Sequence, residues 1–216
     1  MAFAFGTSSL ANLSSATTIT LAHTCTAGTR LLVMGLATRS TTIRTGGAPT
    51  YNSVTMAQIQ TAIAGSAECT AELWYLANPD TGSSYNISVP NANATTERVV
   101  ASNYTNDATI YLQASTSTTN STANPTLTLN SVAQDSLVVD ILGDGRADVP
   151  SANTGGTVLT NNDEGAWVDS AQYKITTSSG NVTFTWVVAN DDVAFIMASF
   201  STVAPIVATE QLIMFM

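Results

Sequence analysis

This chain has few charged or chemically reactive side chains. Asp, Glu, Lys and Arg make up only 10% of its 216 residues, and there is a single histidine. Enzyme active sites are built from groups that transfer protons, bind metals or act as nucleophiles, and such groups are rare here. We therefore predict a protein that is not an enzyme, with no catalytic residues, no cofactor and no metal ion.

Basic residues are scarce and scattered. Six Lys and Arg stand against fifteen Asp and Glu, for a net charge of −9, whereas phosphate binding requires clustered Lys or Arg. No apolar run reaches the roughly 18 residues of a membrane helix. The opening MAFAFGTSSLANLSS has neither the basic nor the apolar stretch of a signal peptide. We expect no nucleic-acid partner, no membrane segment and no export by the general secretory route.

Two cysteines, Cys25 and Cys69, lie far apart in the sequence. They would form one disulfide or remain two thiols, and the thiols are favoured because unpaired cysteine is usually buried. His23 and Cys25 share a face if their segment is extended. A nucleophilic Cys–His pair also needs an orienting group and an oxyanion hole, and no neighbouring residue indicates either. We interpret His23 as a turn or edge histidine and Cys25 as a buried thiol.

Short apolar or alternating runs separated by turn residues are typical of a β-sandwich or barrel. Residues 181–188 alternate strictly, which assigns Trp186 to the core. Residues 31–36 and 192–197 are almost continuously apolar, as in strands covered on both faces or strands at a subunit contact. The predicted strands are 17–22, 30–37, 50–57, 70–77, 84–89, 98–104, 126–130, 136–142, 156–160, 167–175, 181–188 and 192–200.

These strands predict one all-β domain over residues 1–204, an antiparallel jelly-roll-like β-sandwich of two sheets with Greek-key connections. We find no repeat of fixed period and no linker that would divide it. Residues 56–65 fit either one or two helical turns or a strand followed by a loop. The polar residues 113–124 are predicted to form a surface loop.

The C-terminal segment, residues 205–216, is mostly apolar, and Glu210 is its only charged residue. It is too short to span a bilayer, and an apolar tail left free would promote aggregation. It is either a final strand on its own domain or a strand added to another subunit, because unpaired strand edges favour such pairing. The candidate subunit-contact residues are Ile206, Val207, Leu212, Ile213, Met214 and Phe215.

Two turn segments and one tryptophan are candidate ligand sites. The turn segments contain the acids Asp144, Asp148, Asp163 and Glu164. Such oxygen ligands can hold calcium, but their spacing does not match the twelve-residue calcium loop. We therefore interpret them as solvated turn acids. Trp167 is the best candidate for stacking against a glycan ring.

Seven segments, taken in order, resemble a known group of domains. They are ITLAHT (19–24), RLLVMGLATRS (30–40), YNSVTMAQ (51–58), AELWYLANPDTGSSYNISV (71–89), RVVASNY (98–104), SLVVDILG (136–143) and VTFTWVVANDDVAFIMASF (182–200). The group comprises the jelly-roll-like β-sandwich domains of virion proteins in tailed bacteriophages and of some bacterial surface proteins. WYLANPDTG is the most distinctive motif. The resemblance covers residues 17–201 and leaves out the C-terminal segment.

The resemblance implies a structural virion protein, either a capsid decoration (cement) protein or a head or tail fibre domain. Such a protein is made in the host cytoplasm and resides on the capsid surface or tail. Its partners would be the major capsid protein or another virion protein and further copies of itself, with a trimer favoured. The alternative function is a carbohydrate-binding adhesin or tail-fibre module that recognises host surface glycans through Trp167.

Overall fold

The computed structural model describes residues 2–13, 17–38, 46–64, 69–91, 97–120, 123–145, 151–152, 156–163, 168–188 and 192–204. Within these ranges every strand pairing is antiparallel. The predicted all-β antiparallel sandwich is therefore confirmed. The strands are β1 (Ala4–Leu13), β2 (Thr18–Thr24), β3 (Thr29–Thr38), β4 (Thr50–Tyr51), β5 (Val54–Thr55), β6 (Ala57–Ile63), β7 (Thr70–Ala77), β8 (Ser84–Pro90), β9 (Glu97–Thr105), β10 (Tyr111–Asn120), β11 (Thr126–Val132), β12 (Leu137–Asp144), β13 (Ser151–Ala152), β14 (Thr157–Asp163), β15 (Val168–Ile175), β16 (Gly180–Val187) and β17 (Val193–Ser201).

The strands form four sheets stacked face to face. The two inner sheets have five strands each, in the orders β1–β9–β3–β7–β6 and β10–β17–β12–β15–β14, and they pack against each other. The outer sheet β2–β8–β4–β5 covers the free face of the first inner sheet. The outer sheet β11–β16–β13 covers the free face of the second. The molecule is thus two β-sandwiches joined back to back, so the prediction of a single pair of sheets is wrong, and jelly-roll connectivity remains a prediction.

The position of a strand in this stack explains its sequence pattern. Inner strands β3 and β17 contact a core on each face, so nearly all of their side chains are buried. This confirms that the apolar runs 31–36 and 192–197 are covered on both faces. Outer strand β16 contacts a core on one face only, and its buried residues, including Phe184 and Trp186, alternate with exposed ones. Strand alternation in the sequence therefore distinguishes outer sheets from inner ones.

The two sandwiches have the same strand order. Each strand of the second half has a counterpart at the same place in the first half. Taken in chain order, strands β10 to β17 correspond to β1, β2, β3, β4, β6, β7, β8 and β9. Leu31 pairs with Tyr104 in the first half as Leu137 pairs with Phe200 in the second. Equivalent positions are thus 106 residues apart in β3 and β12 but 96 apart in β9 and β17. Unequal loops cause this drift, so the two halves repeat a strand arrangement without a fixed period in the sequence.

Equivalent aromatic pairs also meet across the interface between the inner sheets. Tyr75 packs edge-on against Phe200 with ring centroids 5.5 Å apart and planes at 61°. Tyr173 packs in the same way against Tyr104, at 5.6 Å and 65°. Because Tyr75 corresponds to Tyr173 and Tyr104 to Phe200, an approximate twofold axis relates the two halves.

One close contact lies near this axis. Gly35 and Ile141 hold equivalent positions and face each other, and a Cβ atom on Gly35 would lie 2.8 Å from Ile141 Cδ1. Atoms this close overlap, so the glycine provides the space that the isoleucine fills. The twofold relation is therefore only approximate here, because one of the two equivalent positions carries isoleucine and the other carries glycine.

One local prediction is wrong, and for residues 56–65 the alternative of a strand holds. Residues 113–124 are not a surface loop, because most of them belong to strand β10. Among the described strands β10 pairs with β17 alone, so it forms an edge of its sheet, where a polar sequence is tolerated. Residues 57–63 form strand β6 rather than helical turns. Strand β1, which precedes the first predicted strand, is a further edge strand.

Candidate functional site

Some predicted sites fall outside the described residues. These are Trp167, Asp148, Glu164 and the six candidate contact residues of the segment 205–216. Asp163 ends strand β14, but its side chain is not among those described. The glycan-stacking role of Trp167 and the contact role of the C-terminal segment remain predictions.

His23 and Cys25 do share one face, and that face is buried. His23 is 1% exposed, and its Nδ1 lies 2.9 Å from the hydroxyl of Ser9. Burial lowers the pKa of His23, so its ring is neutral at neutral pH. Burial raises the pKa of the Cys25 thiol, whereas an activated cysteine requires a lowered one. The pair therefore belongs to the structure of the core between the outer sheet β2–β8–β4–β5 and the first inner sheet. The prediction of a buried thiol at Cys25 is confirmed.

The two cysteines are free and lie in different cores. Cys25 belongs to the core between the first outer and inner sheets, and Cys69 belongs to the core between the two inner sheets. The Cys69 thiol donates to the backbone carbonyl oxygens of Gly143 at 3.4 Å and Asp192 at 3.2 Å. The alternative of two buried thiols therefore holds, and the disulfide is excluded.

The interpretation of Asp144 as a solvated turn acid is wrong. It is the last residue of β12 and is 2% exposed, because the strand continues two residues beyond the predicted end at residue 142. Within the described ranges, no three His, Cys, Asp or Glu side chains are placed to share a metal ion. The same ranges contain no helix of the length and hydropathy needed to cross a membrane.

Asp140 is the most perturbed acid of the second sandwich. It lies on β12 facing the second outer core, where it accepts hydrogen bonds from the Gln172 backbone N–H at 2.8 Å, the Gln172 amide at 3.0 Å and the Trp186 indole N–H at 2.9 Å. Burial raises the pKa of Asp140 to about 8 although these donors oppose the shift. The carboxyl is enclosed in the core, so it bridges two sheets rather than meeting a substrate.

The open groove in the first half is a different kind of site. It has a volume of about 350 Å³ and lies on the outer sheet β2–β8–β4–β5. Strand β8 contributes Ser84, Tyr85, Asn86 and Ser88, and the β4–β5 hairpin contributes Thr50, Asn52 and Ser53. Apart from Tyr85, the described lining residues bear hydroxyl or amide groups, and none of these described residues is charged.

The hairpin at this groove has a fixed backbone. Asn52 and Ser53 join β4 to β5 with φ values of 45° and 67°, and two successive positive φ values mark a type I′ turn. The Asn52 backbone N–H donates to the Asn86 carbonyl oxygen at 3.1 Å, which ties the turn to β8. Left-handed backbone is unfavourable for serine, so surrounding contacts must hold it in place.

A second loop holds this hairpin from the other side. The Asn52 side-chain amide donates to Asp80 Oδ2 at 2.6 Å. The hydroxyl of Tyr51 donates to the Asp80 carbonyl oxygen at 3.2 Å, and the Tyr51 ring packs edge-on against Tyr85 at 5.7 Å. The groove is thus shaped before any ligand arrives.

The outer face of the second sandwich is also hydroxyl-rich. Paired threonines on β11 and β16 face solvent, with hydroxyl oxygens 3.0 Å apart in Thr126–Thr185 and 2.8 Å apart in Thr128–Thr183. Both outer sheets therefore present hydroxyl-bearing faces, on opposite sides of the molecule.

No family model, curated protein or solved structure matches this chain.

Sequence reasoning missed the groove. It predicted one strand over residues 50–57, whereas the chain turns at Asn52 and Ser53. The available signal was Asn52, which lies between the β-forming residues 50–51 and 54–55. Asparagine tolerates the positive φ required at the first position of a type I′ turn. The pairing of Thr50 with Ser88, which completes the groove, spans too much sequence to be inferred from spacing alone.

Proposed function

We propose that this chain is a structural virion protein, a capsid decoration (cement) protein that binds the capsid surface and stabilises it. The buried position of its reactive groups carries the proposal. His23, Cys25, Cys69 and Asp140 are each at most 3% exposed, so they serve the cores rather than a cleft. Such a protein acts by shape and contact, with the major capsid protein or another virion protein and further copies of itself as partners.

The architecture supports this role. Each inner sheet is buried on both faces, and each outer sheet packs onto it through apolar side chains. Tightly packed layers of this kind are rigid and transmit load. The hydroxyl-rich outer faces suit contact with a neighbouring protein surface, because they carry no charge that would have to be desolvated without a partner. The virion assignment itself rests on the resemblance of residues 17–201.

The experiment is mass spectrometry of density-purified phage particles from a lysate of the host that carries this gene. The proposal predicts peptides of this chain in a fixed ratio to the major capsid protein. Particles that lack the chain should lose their genome at a lower temperature than complete ones. Absence of the chain from the particles, with the protein abundant in the remaining lysate, would contradict the proposal.

Removal of residues 205–216 tests the predicted subunit contact. We expect the truncated chain to keep its circular dichroism spectrum but to lose self-assembly and particle binding, because apolar strand surface drives both. Light scattering gives the oligomer size, for which we predict a trimer. Substitution of Asp107 by Ala, in the exposed turn between β9 and β10, is the control and should leave assembly unchanged. Normal assembly of the truncated chain would rule out the contact role.

A further inference from the structure

The groove on the first outer sheet has the chemistry of a site for neutral sugars. Its lining combines the amides of Asn52 and Asn86 with the hydroxyls of Ser84 and Ser88. Amide groups both donate and accept hydrogen bonds, and hydroxyls do the same. A saccharide presents a dense array of hydroxyls with the same dual capacity, so that these groups can be paired in several directions at once.

The groove is also held in position. The Asn52 amide is fixed by Asp80, and the turn that carries it is fixed by the backbone of Asn86. A preformed site avoids the entropy cost of ordering side chains at the moment of binding. This matters for a sugar ligand, because each hydroxyl that leaves water gains little net free energy from one hydrogen bond.

Charge selects among possible ligands. Among the residues that the structure describes, no Lys or Arg side chain lines the groove, and the whole chain carries a net charge of −9. Phosphate and carboxylate groups require positive partners that this groove does not offer. The ring of Tyr85 packs against Tyr51 and the core beneath the sheet, so it supports the groove from below while the outward-facing polar groups of β8 meet the ligand.

We propose that this groove, between the β4–β5 hairpin and strand β8, binds a neutral saccharide. Asn86 and Asn52 make the specifying hydrogen bonds, and Asp80 is a positioning residue that holds the Asn52 amide. The volume of about 350 Å³ lies at the small end of ligand pockets, which fits a short part of a glycan chain rather than a long one. The site lies on the outer sheet of the first sandwich.

The test uses the full-length chain on an array of neutral gluco-, galacto- and manno-oligosaccharides, with sialylated and phosphorylated oligosaccharides as a second arm. We expect binding to at least one neutral probe and to none of the charged ones. The strongest neutral probe is then titrated by calorimetry. Asn86→Ala should weaken that binding about tenfold, because a hydrogen-bonding partner of the sugar is removed.

Two further variants keep the result interpretable. Asn52→Gly removes the amide but suits the positive φ of the turn, so it should fold normally and also weaken binding. Thr128→Ala removes a hydroxyl from the outer face of the other sandwich and should leave binding unchanged. Thermal melting confirms that all variants are folded. The proposal fails if no neutral probe binds at millimolar concentration, if charged probes bind instead, or if both Asn variants bind as tightly as the unaltered chain.

Discussion

The two sandwiches share strand order and register but differ in the cores beneath their outer sheets. Met34 in the first half holds the position of Asp140 in the second. Met34 packs among apolar side chains, whereas Asp140 accepts a hydrogen bond from Trp186 on the opposing outer sheet. The same strand arrangement thus accommodates either apolar packing or a buried hydrogen bond between an inner sheet and its outer sheet. The interface between the halves is more restrictive, because its Gly35–Ile141 contact leaves no spare volume.

The largest expected effect comes from reversing that contact. Gly35→Ile should lower the free energy of unfolding by about 3 kcal/mol through overpacking. Ile141→Gly should lower it by about 4 kcal/mol through the cavity it leaves. The double variant exchanges the two residues about the approximate twofold axis and should recover most of the loss, since one large side chain again faces one glycine.

Urea unfolding of the four proteins measures this coupling as a double-mutant cycle. A recovery of several kcal/mol in the double variant supports the twofold relation between the halves. Losses that simply add would show that positions 35 and 141 do not share the same space.

A second effect distinguishes the outer cores by pH. Burial raises the pKa of Asp140 to about 8, well above its unfolded value near 3.8. The native state therefore retains a proton that the unfolded state releases, so the contribution of Asp140 to stability is full at low pH and is lost as pH rises from about 4 to about 8. We expect the free energy of unfolding to fall by about 1 kcal/mol between pH 6 and pH 7 on this account.

Asp140→Asn provides the matched comparison, because the amide keeps the size of the side chain but does not titrate. The difference in unfolding free energy between the two proteins, measured in urea at each pH, should change steadily over this window. A difference that stays constant from pH 4 to pH 8 would show that Asp140 is already ionised in the folded protein.

A smaller effect compares the equivalent tyrosines. Tyr75→Leu should cost about 1 kcal/mol, since it removes one edge-on ring contact. Tyr173→Leu should cost about 2 kcal/mol, because Tyr173 also stacks on Phe5 at 5.1 Å and 13°. Leu112 occupies the position of Phe5 in the other half. In a Phe5→Leu background the two tyrosine substitutions should therefore cost the same, and a persistent difference in thermal unfolding would count against the equivalence.

The sequence predicted the burial of individual strands better than the number of sheets, since two sheets were expected and four are present. The continuous run at 31–36 indicated burial on both faces or a subunit contact, and the alternation at 181–188 indicated burial on one face, because each pattern reflects how many cores a strand contacts. The structural repeat leaves no fixed period in the sequence, because its loops differ in length and equivalent strands share burial rather than residue identity, as with Met34 and Asp140. The groove escaped detection because it depends on a turn that interrupts a pattern typical of one continuous strand.

The most direct test of the back-to-back arrangement is differential scanning calorimetry of the full chain. Since the inner sheets share one apolar core, we predict a single unfolding transition whose calorimetric and van't Hoff enthalpies agree. Two separate transitions, each with about half of the total enthalpy, would show that the sandwiches unfold independently and would contradict the account.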